Sequence, residues 1–506
     1  MVVSLLKVLH SGLQDERLQS IQPRLDLYMK VFRRAGRFAS QWIRLDFNQI
    51  PQFGQTASIV IPRKGHLVAR IYLVTTLPDI TTPQLAAQKA AATTGANFAG
   101  PYFRWTNSIG HALVQEASVF IGGSKFDTLS ARLLEIMDEF NTPLEKVPLV
   151  DSLIQREPNY QTTKLPPAIN QVVTPLPFWF SRGDPSLWLP VDALSVDEVR
   201  ADITFAPFQN LYYTDSHNED PIGDAVPTVC KDGATFLLPM AASPFYKLDP
   251  KGKRLYNFSK VNSPNGLSVS KIPGAQMPGS YSLGDTYILA EYIYLDKPEA
   301  NRFRVSQIQT PIVQHYALEP QDTQSMNNVK ISLDFPNPIR DLYFYCQRPE
   351  AIAANCLFLA TREISGLDQP YVPWWPNPDL DALYPGFADS NSEPIRSISV
   401  LYEGQRVRFK TENTALFRSI LPSFEHKKAP FYNRYFYNIP FGFQNGLTAP
   451  SQPTGEANFS IIQNKDLILE IRPGLKGLNR FTVFVYGETY NVLTIYGGRG
   501  SLLFGY

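Results

Sequence analysis

The chain has 506 residues, with 47 Lys and Arg against 46 Asp and Glu and a formal net charge of +1, so no overall field draws it to nucleic acid or to an anionic membrane. Hydrophobic residues make up 44% and charged residues 18%, below the roughly 25% of typical domains, which excludes a disordered chain. Its length exceeds what one core supports, so two domains are expected, and 42 prolines, 32 phenylalanines and 25 tyrosines favour short aromatic strands joined by proline-bearing loops. Cys230, Cys346 and Cys356 are odd in number and lack CxxC spacing, which argues against a disulfide framework or zinc site and fits a reducing compartment. Met1 to Leu9 is apolar but interrupted by Lys7, too short for a membrane span and without a small-residue cleavage site, so a soluble, non-secreted chain is expected.

In chain order, Arg33, Arg34 and Arg37 form a tight basic cluster with Tyr28, Phe32 and Phe38 interleaved. Without an excess of positive charge this reads as ion pairing at a surface rather than a nucleic-acid stripe. Ser58 to Ile61 and Leu67 to Leu77 have strand character and are separated by Pro-Arg-Lys-Gly, which predicts a hairpin. The Ala- and Thr-rich stretch after Pro78 reads as an inserted loop with a short helix over Leu85 to Ala92. A strand is predicted over Ala112 to Ile121, ending at Gly122-Gly123, followed by helical spacing from Leu129 to Phe140.

Thr174 to Phe205 carries a proline-bracketed aromatic run, then Val196, Val199, Ala201, Ile203 and Phe205 close to a period of two, the pattern of a half-buried strand. Pro185 and Pro190 confine the Trp188 segment to a sheet edge or loop. Gln209 to Asp224 turns polar and reads as a linker. Strands resume at Thr235 to Leu238, Tyr287 to Leu295, Val329 to Phe335, Leu342 to Cys346, Ser397 to Tyr402, Leu467 to Ile471 and Phe481 to Tyr486. Between them the long loop from Gly366 to Ser392 contains Trp374 and Trp375, and loops of this length carry function or contact surfaces. Two successive β-sandwiches fit the pattern.

No catalytic, cofactor-binding or metal-binding residue is assigned. The six histidines, at 10, 66, 111, 217, 315 and 426, show no i, i+4 pair. There is no GxSxG elbow or GxxxxGK[ST] loop, and Gly122-Gly123-Ser124-Lys125 reads as a turn. Asp215, Glu219 and Asp220 read as solvated linker charges rather than a glycosidase pair. Asn257-Phe258-Ser259 and Asn458-Phe459-Ser460 match the glycosylation sequon but follow no secretory signal.

Several of these segments, taken in order, resemble the major capsid proteins of nucleocytoplasmic large DNA viruses, the double jelly-roll family. They are GLQDERLQ and LYMKVFRRAGRFA near the N-terminus, IPRKGHLVARIYLVTTLPDI, RWTNSIGHALVQEASVFIGGSKFD, and LPFWFSR followed by LPVDALSVDEVRADI. In the second half they are AEYIYLDKPEANRF with Tyr294, Leu295, Asp296, Glu299 and Phe303, then DFPNPIRDLYFYCQ, PTGEANFS and ETYNVLTIYGGRGSLLFGY.

The resemblance implies an all-β chain of two tandem eight-stranded antiparallel jelly rolls with long loops and few short helices. The expected division is an N-terminal arm at 1–25, a first jelly roll at 26–207 closed by the Thr174 to Phe205 segment, a linker at 208–226 and a second jelly roll at 227–506. It implies a structural protein, not an enzyme, without cofactor, assembling as a pseudohexagonal homotrimeric capsomer in the icosahedral shell of a virion built inside the host cell, in the cytoplasm. Implied partners are further copies, neighbouring capsomers, minor capsid proteins and the internal viral membrane, with no sequence-specific nucleic-acid binding. Arg33, Arg34, Arg37, Trp374 and Trp375 are the expected interface residues. The alternatives are a minor capsid paralogue of the same family and a carbohydrate-binding or glycoside-cleaving β-sandwich.

Overall fold

The computed structural model describes residues 37–80, 82, 103–156, 170–214, 246–248, 254–256, 281–348, 357–362, 393–404, 406–431, 434–448, 450–472 and 480–505. Sixteen strands build two sandwiches. The first uses β1 (Phe38–Asp46), β2 (Thr56–Val60), β3 (Leu67–Thr76), β4 (Val114–Ile121), β5 (Ser124–Ser130), β6 (Gln171–Pro175), β7 (Val199–Phe205) and β8 (Thr286–Leu295). The second uses β9 (Ile308–Ala317), β10 (Asn328–Ser332), β11 (Pro338–Gln347), β12 (Ile395–Tyr402), β13 (Arg406–Thr411), β14 (Tyr437–Pro440), β15 (Asp466–Ile471) and β16 (Thr482–Tyr496).

Their pairing shows a duplication that no sequence repeat announces. In the first sandwich the sheets run β1-β8-β3-β6 and β2-β7-β4-β5; in the second they run β9-β16-β11-β14 and β10-β15-β12-β13. Counted from its own first strand, each half has the same order, with every pairing antiparallel. That winding is the jelly roll, in which two sheets share a core and leave only short edges.

Period-two patterning explains the strands with water on one side, whereas β11 and the first part of β16 are buried on both faces. In β7 the residues Val199, Ala201, Ile203 and Phe205 are all buried while those between them are half-exposed, as the alternation predicts. Pro175 ends β6 at the edge of its sheet, where a missing N–H costs no ladder bond. Gly122 and Gly123 take positive φ values of 58° and 87° in the turn between β4 and β5, so that tetrapeptide is a turn.

Two readings are corrected. β2 and β3 do not form a hairpin: β2 pairs with β7, and β3 pairs with β8 and β6 in the opposite sheet. Pro-Arg-Lys-Gly therefore carries the chain between sheets, and apolar alternation specifies a face but not a partner. The Thr174 to Phe205 segment does not close the first sandwich either. β7 lies between β2 and β4, and the closing strand is β8, inserted between β1 and β3. Thr286–Leu295, placed beyond the 208–226 linker with the second jelly roll, thus completes the first. A composition break marks an exposed excursion, whereas membership of a sandwich is decided by hydrogen bonding over long sequence separation.

The predicted strand over Ala112 to Ile121 begins instead as a helical turn, α1 (Ile109–Leu113), before β4. The helical spacing from Leu129 forms α2 (Ala131–Asn141), N-capped by the Ser130 side chain accepting from the Leu133 N–H. α3 (Val147–Ile154) follows, then α4 (Lys297–Val305) between the sandwiches, and α5 (Leu421–Glu425) between β13 and β14. The predicted helix at Leu85 to Ala92 and strand at Thr235 to Leu238 lie outside the described residues, as does Gly366 to Ser392. Among the described residues no helix is long and apolar enough to cross a membrane.

Candidate functional site

A subunit whose two lobes must keep one orientation depends on the seam between them, and this seam is built from buried charge. At its β5–β9 end, the Asp127 carboxylate accepts from the His315 backbone N–H at 2.9 Å and meets His315 Nδ1 at 2.9 and 3.0 Å. Gln314 Nε2 donates to the Phe126 carbonyl. Arg182, from the loop after β6, donates to Glu488 Oε1 of β16 at 2.8 Å, beside His315 Nε2. Burial alone would lower the pKa of His315, but the charge and hydrogen bond of Asp127, joined by Glu488, hold it above the ordinary histidine value. Burial works against the Glu488 charge too, and Arg182 with His315 reverses this, keeping the carboxyl well below the usual range.

The other end is made by α2. Its residues Glu135 and Glu139, one helical turn apart, are both fully buried. Glu135 Oε2 binds His111 Nδ1 at 2.7 Å and Arg156 Nη2 at 2.6 Å, while Arg156 Nη1 reaches Asp138 at 2.5 Å and Asp151 at 3.0 Å. Burial opposes the charge of Glu135, but Arg156 and then His111 hold its pKa far below the carboxylate range. Asp151, less well compensated, is pushed by burial up to about 6. Glu139 crosses the seam, pairing with Lys428 Nζ at 3.0 Å and with Arg434 of the second half. Burial pulls Lys428 down to about 7. Beside these charges Phe140 packs between Tyr343 and His426, with ring centroids 5.5 and 5.2 Å away.

The C-terminus straps the lobes together. Beyond β16 the chain turns at Gly497 and Gly498, and the Gly498 carbonyl accepts from Val196 and Asp197 N–H at 3.0 and 3.1 Å. Gly500 N–H donates to Asp197 Oδ2 at 2.9 Å. A Cβ at Gly500 would stand 2.9 Å from Ile121 and 3.2 Å from Leu194 of the first sandwich.

Between the two ends lies a cavity of about 510 Å³, lined from both sandwiches by His111, Asp138, Arg182, Asp341, His426 and Glu488 among others. Most of its charged groups are paired, Asp138 with Arg156, Arg182 with Glu488 and Asp341 with His426 and Arg340, an arrangement that positions lobes. Lys427 has no carboxylate partner among the described residues, and its pKa is lowered by burial beside Lys146 and Arg182. Among the described residues no group of three or more His, Cys, Asp or Glu has metal-site geometry.

Of the expected interface residues, Arg37 is exposed immediately before β1. Arg33, Arg34, Trp374 and Trp375 lie outside the described residues, as do Asp215, Glu219 and Asp220. His66 ties β3 to β8, its Nδ1 accepting from the Leu295 N–H at 2.8 Å. Cys346 is a buried free thiol whose pKa burial raises, and Asn458 sits in a short strand, accepting from the Ser460 N–H at 3.1 Å.

The sequence reading passed over the seam residues Asp127, Glu135, Glu139, Arg156, Arg182, His315, Lys428, Arg434 and Glu488. The one available signal was Gln314-His315 following the apolar Ile312-Val313 in β9. The helix ARLLEIMDEFN gives none: Arg132, Glu135, Asp138 and Glu139 share one face opposite Leu133, Ile136, Met137 and Phe140, the pattern of a helix with a solvated side.

Comparison with known proteins decides what the duplicated sandwich belongs to. The family model described as major capsid protein N-terminus matches residues 26–296, and the one described as large eukaryotic DNA virus major capsid protein matches residues 299–501. The chain belongs to the major capsid protein family of large eukaryotic DNA viruses. The junction between the two matches falls just after β8, where the sheet topology divides the lobes.

Among its relatives are the "Probable capsid protein 4" of Acanthamoeba polyphaga mimivirus, 22% identical over 100% of this chain and 99% of that protein, and the "Major capsid protein" of Phaeocystis pouchetii virus, 24% identical over 100% of each. A chain of the PBCV-1 virus capsid has a TM-score of 0.63 at 18% identity, over 95% of this chain and 100% of that one. The Faustovirus major capsid protein has a TM-score of 0.59 at 10% identity, over 98% and 97%. The capsid family member described here is therefore a double jelly roll and a structural protein of the virion shell, not an enzyme. The glycoside-cleaving alternative is overturned by the family match.

Proposed function

We propose that this capsid protein assembles as a pseudohexagonal homotrimer and that such trimers tile an icosahedral shell. The observation that carries the reading is the repeated strand order: two sandwiches of one winding, held at a fixed angle by buried ion pairs, give one chain two equivalent corners. Three copies then present six sandwiches around one axis. Cyclic closure requires a heterologous interface, one flank of each subunit meeting the other flank of its neighbour.

Neighbouring capsomers, minor capsid proteins and the internal viral membrane are the further partners in this reading, with assembly in the host cytoplasm. Residues 1–25 with Arg33, Arg34 and Arg37 serve the inner side, and Trp374 and Trp375 serve loop contacts. Mass measurement of the purified full chain tests the core of it. A particle of three times 57.0 kDa with a hexagonal outline in electron images is expected; a monomer across micromolar concentrations refutes it.

A further inference from the structure

The two sandwiches are wound alike but covered differently. In the second, the outer face of the β9-β16-β11 sheet is sealed by the first sandwich. By register Glu488 lies opposite His315 on one side and Asp341 on the other, and the three side chains are 0 to 3% exposed. Two residues beyond Asp341, Tyr343 carries Phe140, the penultimate residue of α2.

The first sandwich has the matching face. Glu291 of β8 lies opposite Trp42 of β1 and Arg70 of β3. Two residues beyond Arg70, Tyr72 meets Trp42 at a centroid distance of 5.7 Å, and Arg70 pairs with Glu291 at 2.9 Å. Trp42, Arg70 and Tyr72 hold the register positions of His315, Asp341 and Tyr343, yet Trp42 is 43% exposed and the Arg70 side chain 47%. At the Leu67–Ala69–Ile293 end this face is covered by Trp188 and Phe303, and Glu291 is 7% exposed between its neighbours; over Trp42 and Arg70 nothing described in the chain covers it.

The seal has a counterpart too. α2 sits between the fifth and sixth strands of the first sandwich, and α5 sits between the fifth and sixth strands of the second. Phe140 is penultimate in α2 and fully buried; Phe424 is penultimate in α5 and 67% exposed. Phe443, in the loop after β14, is 74% exposed. The loop after β6 in the first sandwich is the one that delivers Arg182 across the seam.

We propose that Phe424 and the β13–β14 segment of one copy seat on the Trp42–Arg70–Tyr72 face of a second copy of this chain, repeating between copies the contact that α2 makes within one. The occupant follows from the duplication: each chain carries one made contact and the two unmated halves of another. The halves lie on different sandwiches of the same rigid chain, so they are satisfied head to tail, which closes a ring when the rotation allows. Exposed aromatics that become buried at the centre of such a contact carry much of its affinity. The inference rests on the trimer reading and names the surfaces through which it forms.

The test uses the full-length chain with a benzophenone amino acid at position 424, irradiated after its mass is measured. Inter-chain cross-links to Phe38–Asp46 or Leu67–Thr76, saturating at a covalent trimer, are expected. Separately, Trp42→Ser and Phe424→Asp should each raise the concentration for half-assembly at least ~10-fold, as loss of an interface anchor does. Phe424 is 67% exposed in one copy, so its replacement should leave the circular dichroism and melting temperature of the monomer unchanged; Trp42→Ser also loses the Tyr72 contact, so its monomer should keep the strand signal in circular dichroism and melt slightly lower. A wild type that stays monomeric overturns the trimer reading and this one with it. A trimer whose cross-links map elsewhere, or to residues 1–36 of the same chain, or that forms normally in both variants, overturns only the assignment of these surfaces.

Discussion

Replacing Glu139 with Gln tests whether buried charge at the seam couples the two jelly rolls. Glu139 belongs to α2 of the first sandwich, while Lys428 and Arg434 belong to the second, and all three side chains are 0 to 3% exposed. Glu139→Gln keeps the shape and removes the countercharge. Lys428, already pulled down to about 7, can shed its proton and limit its own loss. Arg434 cannot, although Glu135 and Asp138 attract it in part. Stranding one buried charge costs about 3–5 kcal/mol, and the remaining carboxylates put this case near 3. With an unfolding entropy of about 2.1 cal/mol/K per residue, or ~1 kcal/mol/K for a chain of this length, the loss is about 3 °C in Tm.

Scanning calorimetry of the full chain is the assay. Because the loss falls on docking rather than on either core, the wild type's cooperative melt should also broaden or split as the lobes uncouple. Glu139→Met combined with Arg434→Met removes both charges and should recover most of the loss, since an apolar pair replaces a buried ion pair at little cost. A Glu139→Gln protein that melts within about 1 °C of wild type, with unchanged width, would show that packing such as Phe140 on Tyr343 couples the lobes and the charges do not.

Two further outcomes follow from the same geometry. The pKa of His315 is raised in the folded chain, so its ion pair with Asp127 contributes fully below the unfolded value of about 6.5 and is lost as pH rises through the folded value. Asp127→Asn should therefore lower stability at pH 6 more than at pH 9 in urea titrations, and an equal loss at both would mean His315 is not charged. At α1, a Cβ on Gly110 would stand 2.9 Å from Ile154 Cα, Thr174 Oγ1 and Val172 Cγ1. Gly110→Ala should cost about 1–3 kcal/mol by overpacking, and an unchanged thermal melt would show that α1 shifts freely.

Strand positions and faces were legible in the sequence wherever one side of a strand faces a core. Val199 to Phe205 alternates because water lies on one side and the sandwich interior on the other, and proline-rich edges and the Gly122-Gly123 turn follow equally local rules. The run of capsid-like segments added the family and the double jelly roll. Partnership was not legible. Whether Leu67–Thr76 pairs with the strand before it or with Thr286–Leu295, more than two hundred residues later, depends on how two sheets wind around one core. Nor does a sequence distinguish a glutamate in water from Glu139, which is buried only because the second sandwich covers α2. Short-range periodicity reports the environment of each strand and helix; the ion pairs that join the lobes and the face left open at Trp42 exist only once residues distant in sequence have met.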